Sequence, residues 1–231
     1  MNKHILAIVC ATVAVGSAYA QSTDTLAKIK ASGSISLGVR DSSALSYTLG
    51  NGKYVGFHTE MGERIIADLS KAVGKDLSIQ YTPVTSQNRI PLVQNGTVDL
   101  ECGSTTNNAT RAKDVSFAVT TYVEEVRILT KSNSGINGIG DLKGKTVATT
   151  TGTTSVQTLR KNKRAEGIDF KEIMGKDHAD SFLLLESGRA DAFVMDGSIL
   201  AANASKSRNA SDYRIVGEVL SVEPIACMLP K

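Results

Sequence analysis

The order of apolar patterns is what most constrains this chain, because a strand-then-helix alternation begins near the N-terminus and begins again halfway along. ISLGVR (Ile35 to Arg40) reads as a strand ending in a cation. TEMGERIIADLSKAV places Met61, Ile65, Ile66, Leu69 and Val73 on one helical face. LSIQYTPV is a second strand. SQNRIPLVQNG is a short helix with Ser86 or Asn88 as its cap, Pro91 in its first turns and Gly96 at its end. TVDLECGS is a third strand. This order predicts a parallel sheet with helices packed on it. From Val126 the pattern restarts: VRILTKS is extended, KTVATT a strand, TTSVQTLRKNKRAEG a helix, DFKEIM a strand, ADSFLLLESG a helix, ADAFVMD a strand and GSILAANASKS a helix. Two α/β units are therefore expected in one chain, with no low-complexity linker and no short-period repeat. The junction between them, Thr121 to Thr130, reads as extended and suits a hinge made of strands.

A length of 231 residues allows one large domain or two small ones. Charged content of 21% is that of an ordinary soluble protein, and an aromatic content of 5% without Trp argues against a platform for stacking bases or sugars. The net charge of +3 is not gathered into a basic block, so nucleic acid is not an expected partner. The first twenty residues differ from the rest. Lys3 precedes an apolar run from Ile5 to about Val15, and Ala18 and Ala20 supply the small residues a signal peptidase reads. Residues 1–20 are expected to be a secretory signal cleaved after Ala20; the run is too short to span a bilayer. Val9, rather than a small residue, precedes Cys10, which argues against a lipid anchor.

Export leaves the mature chain with Cys102 and Cys227. Two thiols in an oxidising compartment point to one disulfide, the alternative being two separately buried thiols. No Cys and His cluster has metal-ligand spacing, so no metal and no cofactor is expected.

Ligands of open α/β sheets bind beyond the carboxyl ends of the strands. Read at those positions alone, the sequence is one-sided: Arg40; Ser86 and Arg89; Ser104, Thr105, Thr106 and then Arg111; TGTTS with Thr153 and Thr154; Lys176-Asp177-His178; and Asp196. Arginine forks and helix N-termini both suit anions. Three cations exceed the need of one carboxylate and point to a phosphate or to two carboxylates. Asp196 favours the second, because a carboxylate repels an anion unless the ligand also brings a cation. An amino acid with an acidic side chain meets all three conditions. Taken singly, each residue has a plainer reading as a surface charge or a helix cap; the repetition at one topological position in both units carries the functional one.

The stretches TSQNRIPLVQNGTVDLECGSTTNNATR, DLKGKTVATTTGTTS, KDHADSFLLLESGRADAFVMD and EPIACMLPK resemble the periplasmic solute-binding proteins of polar amino-acid ABC importers, and most closely the glutamate/aspartate-binding branch. The likeness covers essentially the whole mature chain. It implies an α/β fold of the type II periplasmic binding protein kind, with two lobes joined by a strand hinge and a ligand cleft between them. Lobe 1 would comprise residues 21–125 continued by 218–231, and lobe 2 residues 126–217. Carried over residue by residue, Arg111 with the backbone N–H of Thr154 would clamp an α-carboxylate, and Ser104, Thr106 and Asp196 would hold the α-ammonium. Arg40, Ser86, Arg89 and His178 would surround the side-chain carboxylate; Thr153, beside Thr154 in the same turn, would be a further contact. The implied partners are L-glutamate or L-aspartate and an inner-membrane ABC importer permease, met by a periplasmic monomer. Family members continue past the position of Lys231, so a C-terminal truncation is expected. Two rivals remain: a dehydratase-like enzyme of the same fold, with His178, Asp196 or Glu101 as acid or base, and an amino-acid sensor module.

Overall fold

The computed structural model describes residues 24–231, so the expected signal peptide lies outside the described residues. Asp24 caps α1 (Thr25–Ser32) by accepting from the backbone N–H groups of Leu26 and Ala27, and Gly33 ends it in the left-handed region. There follow β1 (Ser34–Val39), a hairpin of β2 (Tyr47–Gly50) and β3 (Lys53–Val55), α2 (Phe57–Val73), β4 (Ser78–Pro83), α3 (Arg89–Gln94), β5 (Leu100–Glu101) and β6 (Ser116–Phe117). The chain then runs through β7 (Tyr122–Lys131), β8 (Thr146–Thr150), α4 (Thr154–Ala165), β9 (Lys171–Gly175), α5 (His178–Glu186), β10 (Ala192–Asp196), α6 (Gly197–Ala204), β11 (Tyr213–Ile225) and β12 (Met228–Leu229).

These strands form two five-stranded sheets, ordered β4-β1-β5-β12-β6 and β11-β7-β10-β8-β9. Each is the centre of one lobe. In the first, Leu37, Val39, Ile66, Leu100 and Cys102 form one core and Val84, Val93, Val98 and Met228 another. In the second, Ile128, Val147, Leu159 and Val194 pack on one face, and Leu129, Phe182, Phe193 and Leu200 on the other. The β7–β11 ladder pairs Tyr213 with Lys131 at one end and Ile225 with Tyr122 at the other, with a bulge between Val216 and Ser221. After Ile225 only two residues separate β11 from β12, which lies in the first sheet. Both passages between sheets are thus made by this two-stranded ribbon and its immediate continuations.

Three expectations need correction. The sheets are mixed: β12 runs antiparallel to β5 and β6, and β7 antiparallel to β10 and β11. Parallel neighbours need a crossover connection, and the strands that pass between lobes enter without a helix. TVDLECGS contributes only Leu100–Glu101 as strand, because Cys102 to Thr106 leave the sheet to form the turn of the site. On α2, Ile66 is buried and Met61 and Leu69 pack on the same core as expected, but Ile65 is exposed and His58, Thr59 and Gly62 complete the buried stripe. Gly62 sits so close to Leu37 that a Cβ there would meet its methyl groups, and this contact sets the rotation of the helix.

Cys102 and Cys227 form a disulfide with Cα atoms 4.4 Å apart and 125 positions apart in sequence. It joins the residue after β5 to the residue before β12.

Candidate functional site

The carboxyl ends of β1, β4 and β5 face those of β8, β9 and β10, and all ten expected site residues lie between them. Arg40, just beyond β1, is 1% exposed. Its guanidinium donates to Ser104 Oγ (3.2 Å) and Ser86 Oγ (3.0 Å), and reaches across the cleft to His178 Nε2 (3.1 Å). Arg89, at the start of α3, donates to the carbonyl of Ser104 at 2.9 Å. Arg111 donates to the carbonyl of Thr106 in its own lobe (3.0 Å) and to that of Gly152 in the other (3.2 Å). The hydroxyls of Thr106 and Thr154 meet at 3.3 Å. Thr153 turns away: its hydroxyl donates to the carbonyl of Thr150 at 2.7 Å.

The two lobes touch where Gly152 meets the loop before α3. Gly152 has φ of +80°, and a Cβ there would lie 2.7 Å from the carbonyl oxygen of Ser86 and 2.8 Å from the nitrogen of Gln87. Only glycine supplies both the left-handed backbone and the clearance.

Three arginines gathered without an ion pair shape the electrostatics. Burial, then Arg89, push Arg40 down to about 9, and the same two influences push Arg111 down to about 10. Burial also lowers Arg89, against the attraction of Glu101 and Asp196. Asp196 closes β10 and is 2% exposed, and its Oδ1 has no hydrogen-bond partner. Burial, then Glu124 and Glu223, push its carboxyl up to about 8. His178 lies well below the usual histidine range because it is buried and faces Arg40 and Arg89. With Arg40 donating to Nε2, the proton sits on Nδ1, 3.1 Å from Thr150 Oγ1; that hydroxyl is 2.8 Å from Ser181 Oγ. His178 is thus a neutral acceptor that orients Arg40.

A cavity of about 300 Å³ reaches the Arg111 end, lined among others by Asn108, Gly152, Thr153, Thr154 and Arg160. Arg40, Arg89, His178 and Asp196 are buried outside it. Such an arrangement can hold two anionic groups at its two arginine ends and a cation at Asp196, excluded from water. It is ill suited to nucleophilic chemistry through Cys102, which is locked in the disulfide. Among the described residues, no cluster of His, Cys, Asp and Glu is placed to hold a metal ion.

Sequence reasoning missed Glu124 and Glu223, which lie opposite each other in the β7–β11 ladder, both buried. Nothing in their local sequence marks them, since their reach into the site depends on strand register. It also missed Thr150 and the Gly152 carbonyl, and weighed Glu101 only as an acid or base. Glu101 is fully buried and accepts from Thr105 Oγ1 at 2.7 Å.

The model of the bacterial extracellular solute-binding proteins, family 3, matches residues 35–181. The glutamate/aspartate import solute-binding protein of Salmonella typhimurium is 45% identical over 209 residues, which is 90% of this chain and 69% of the relative. The L-glutamate/L-aspartate-binding protein of Pseudomonas aeruginosa is 42% identical over 97% of this chain and 76% of its own length. Among solved structures, holo ArgBP from T. maritima superposes with a TM-score of 0.75 at 27% identity, covering 89% of this chain and 86% of that one.

Proposed function

Because this chain belongs to the family 3 bacterial extracellular solute-binding proteins, we propose that it captures an acidic L-amino acid, glutamate or aspartate, between its two lobes and delivers it to an ABC-type importer. The observation that carries this reading is three buried arginines set against one buried carboxylate without a partner. In this reading Arg111 and the N-terminus of α4 at Thr154 take the α-carboxylate, where rigid donors and the helix dipole act together. Asp196, with Ser104 and Thr106, takes the α-ammonium. Arg40 and Arg89, steadied by Ser86 and His178, take the side-chain carboxylate. Glutamate/aspartate specificity is the one that the names of the two bacterial relatives carry.

The chain would work as a periplasmic monomer after loss of residues 1–20, and the closed, loaded form would dock on a membrane permease. Closure is a hinge motion biased by contacts that the ligand makes to both lobes at once.

Calorimetric titration of the mature chain with L-glutamate, L-aspartate, L-glutamine and L-arginine tests the proposal. One-to-one binding of the first two, with the others much weaker, is expected. Binding of arginine in preference to glutamate by a folded chain would refute it.

A further inference from the structure

Three buried carboxylates converge behind the cleft, and none is in an ion pair. Asp196 ends β10 opposite Val126 of β7, and Glu124 and Glu223 face each other two residues further along. They are 2%, 3% and 6% exposed. The hydroxyl and backbone N–H of Ser198, in the first turn after Asp196, hold Glu124 beside it. Glu223 accepts from Ser221 Oγ at 2.7 Å. The ion pairs among the described residues use other acids. Arg40, Arg89 and Arg111 face the cluster, yet donate to Ser104, Ser86, His178, Thr106 and Gly152 instead.

A buried carboxylate with no bonded cation either finds one or takes a proton. Resting on the acidic amino-acid reading above, we propose that Glu124 and Glu223 are positioning residues that link closure of the cleft to uptake of one proton at Asp196, unless a ligand ammonium fills that place.

The charges facing Asp196 are Glu124 from β7, Glu223 from β11, Arg89 from α3, Arg111 from the turn before β6, and Arg40 beyond β1. Burial and the two acids outweigh the arginines and set Asp196 at about 8. With the lobes apart, the same carboxyl would face water and keep an ordinary value of about 4. The closed form then binds more protons than the open form, so the cost of closure without an ammonium is greatest above pH 8 and is relieved progressively as the pH falls from 8 to about 4. An α-ammonium abolishes this requirement. The cluster therefore discourages empty closure at neutral pH and selects for ligands that carry a cation beside their carboxylates.

Glutarate, which is glutamate without its amino group, is the probe. Calorimetry in two buffers of different ionisation enthalpy is expected to show one proton taken up per glutarate at about pH 7 and none per glutamate. Glutarate affinity should rise about eightfold as the pH is lowered from 8.5 to 7, and glutamate affinity less than about twofold. Glu124→Gln and Glu223→Gln should cut the glutarate response to about twofold, and Asp196→Asn should abolish it while glutarate still binds. Glutamate binding alongside a glutarate affinity that ignores pH, takes up no proton, or responds equally in the Gln variants overturns the inference and leaves the functional reading standing. Failure of glutamate itself to bind removes both.

Discussion

Arg40 and His178 lie on different lobes and meet at 3.1 Å, with the guanidinium donating to the imidazole. The ring passes its other proton toward Thr150, whose hydroxyl meets that of Ser181, and the one Ser181 proton is shared between the carbonyls of Thr149 and Asp177. One chain of donors thus runs from a cation on the first sheet to the backbone of the second. It works only while the imidazole is neutral. The ring is held well below the usual histidine range in the closed form, so its contribution is present above about pH 6.5 and fades as the pH falls below it. Glutamate affinity is expected to decline in that acid range. His178→Gln, which keeps an acceptor for Arg40, should remove this decline in a calorimetric pH series.

Arg111 joins the lobes through Thr106 and Gly152 and is the proposed clamp on the α-carboxylate. Removing one partner of a desolvated charge pair costs ~2–5 kcal/mol. Arg111→Ala is expected to weaken glutamate, aspartate and glutamine alike by that amount, read by calorimetry. An unchanged affinity for any of them refutes the assignment.

Arg89 is buried and has one donor nitrogen, Nε, without a partner. As a reader of the side-chain carboxylate, it should matter to acidic ligands and little to their amides. Arg89→Ala is expected to weaken glutamate and aspartate by ~2–5 kcal/mol and glutamine much less. Equal losses for all three ligands would show that Arg89 does not read the side chain.

Gly152 sits against the backbone of Ser86 and Gln87 across the cleft. Gly152→Ala forces a Cβ into the carbonyl of Ser86 and strains a left-handed backbone, which costs of order 1–3 kcal/mol. The strain is present in both forms, but the clash exists only when the lobes meet, so ligand affinity should fall. The far-ultraviolet circular dichroism should be unchanged.

The Cys102–Cys227 bridge closes a loop of 125 positions. Chain entropy puts its contribution at about 5 kcal/mol. Thiol titration of the denatured, unreduced mature chain should find no free thiol. The Cys102→Ala/Cys227→Ala variant should unfold at a midpoint lower by roughly 10–20 °C.

Much of the site was legible because cations and hydroxyls at strand ends are a local signal. Arg40, Ser86, Ser104 and His178 are each one to three residues past a recognisable strand, and topology brings strand ends together. Thr153 lines the cavity as its place in TGTTS suggests, but the sequence does not register that its hydroxyl donates to the carbonyl of Thr150. The stripe on α2 was drawn from apolar residues alone, whereas the helix buries His58 and Thr59. His58 reaches the carbonyl of Gly103 and the hydroxyl of Thr121, a pairing between residues far apart in sequence that periodicity does not register.

The amino-acid sequence by itself determined that this chain would form two α/β units and which chemical groups would stand at their strand ends. These follow from periodicity, turn residues and charge, all of which act within a few residues. Only the tertiary structure decided the antiparallel entry of β7 and β12, the direct contact of Arg40 with His178, and the placement of Glu124 opposite Glu223 behind Asp196. Those relationships depend on strand register and on how closely two lobes approach, and a one-residue change of register would turn Glu124 and Glu223 to the opposite face of the ribbon.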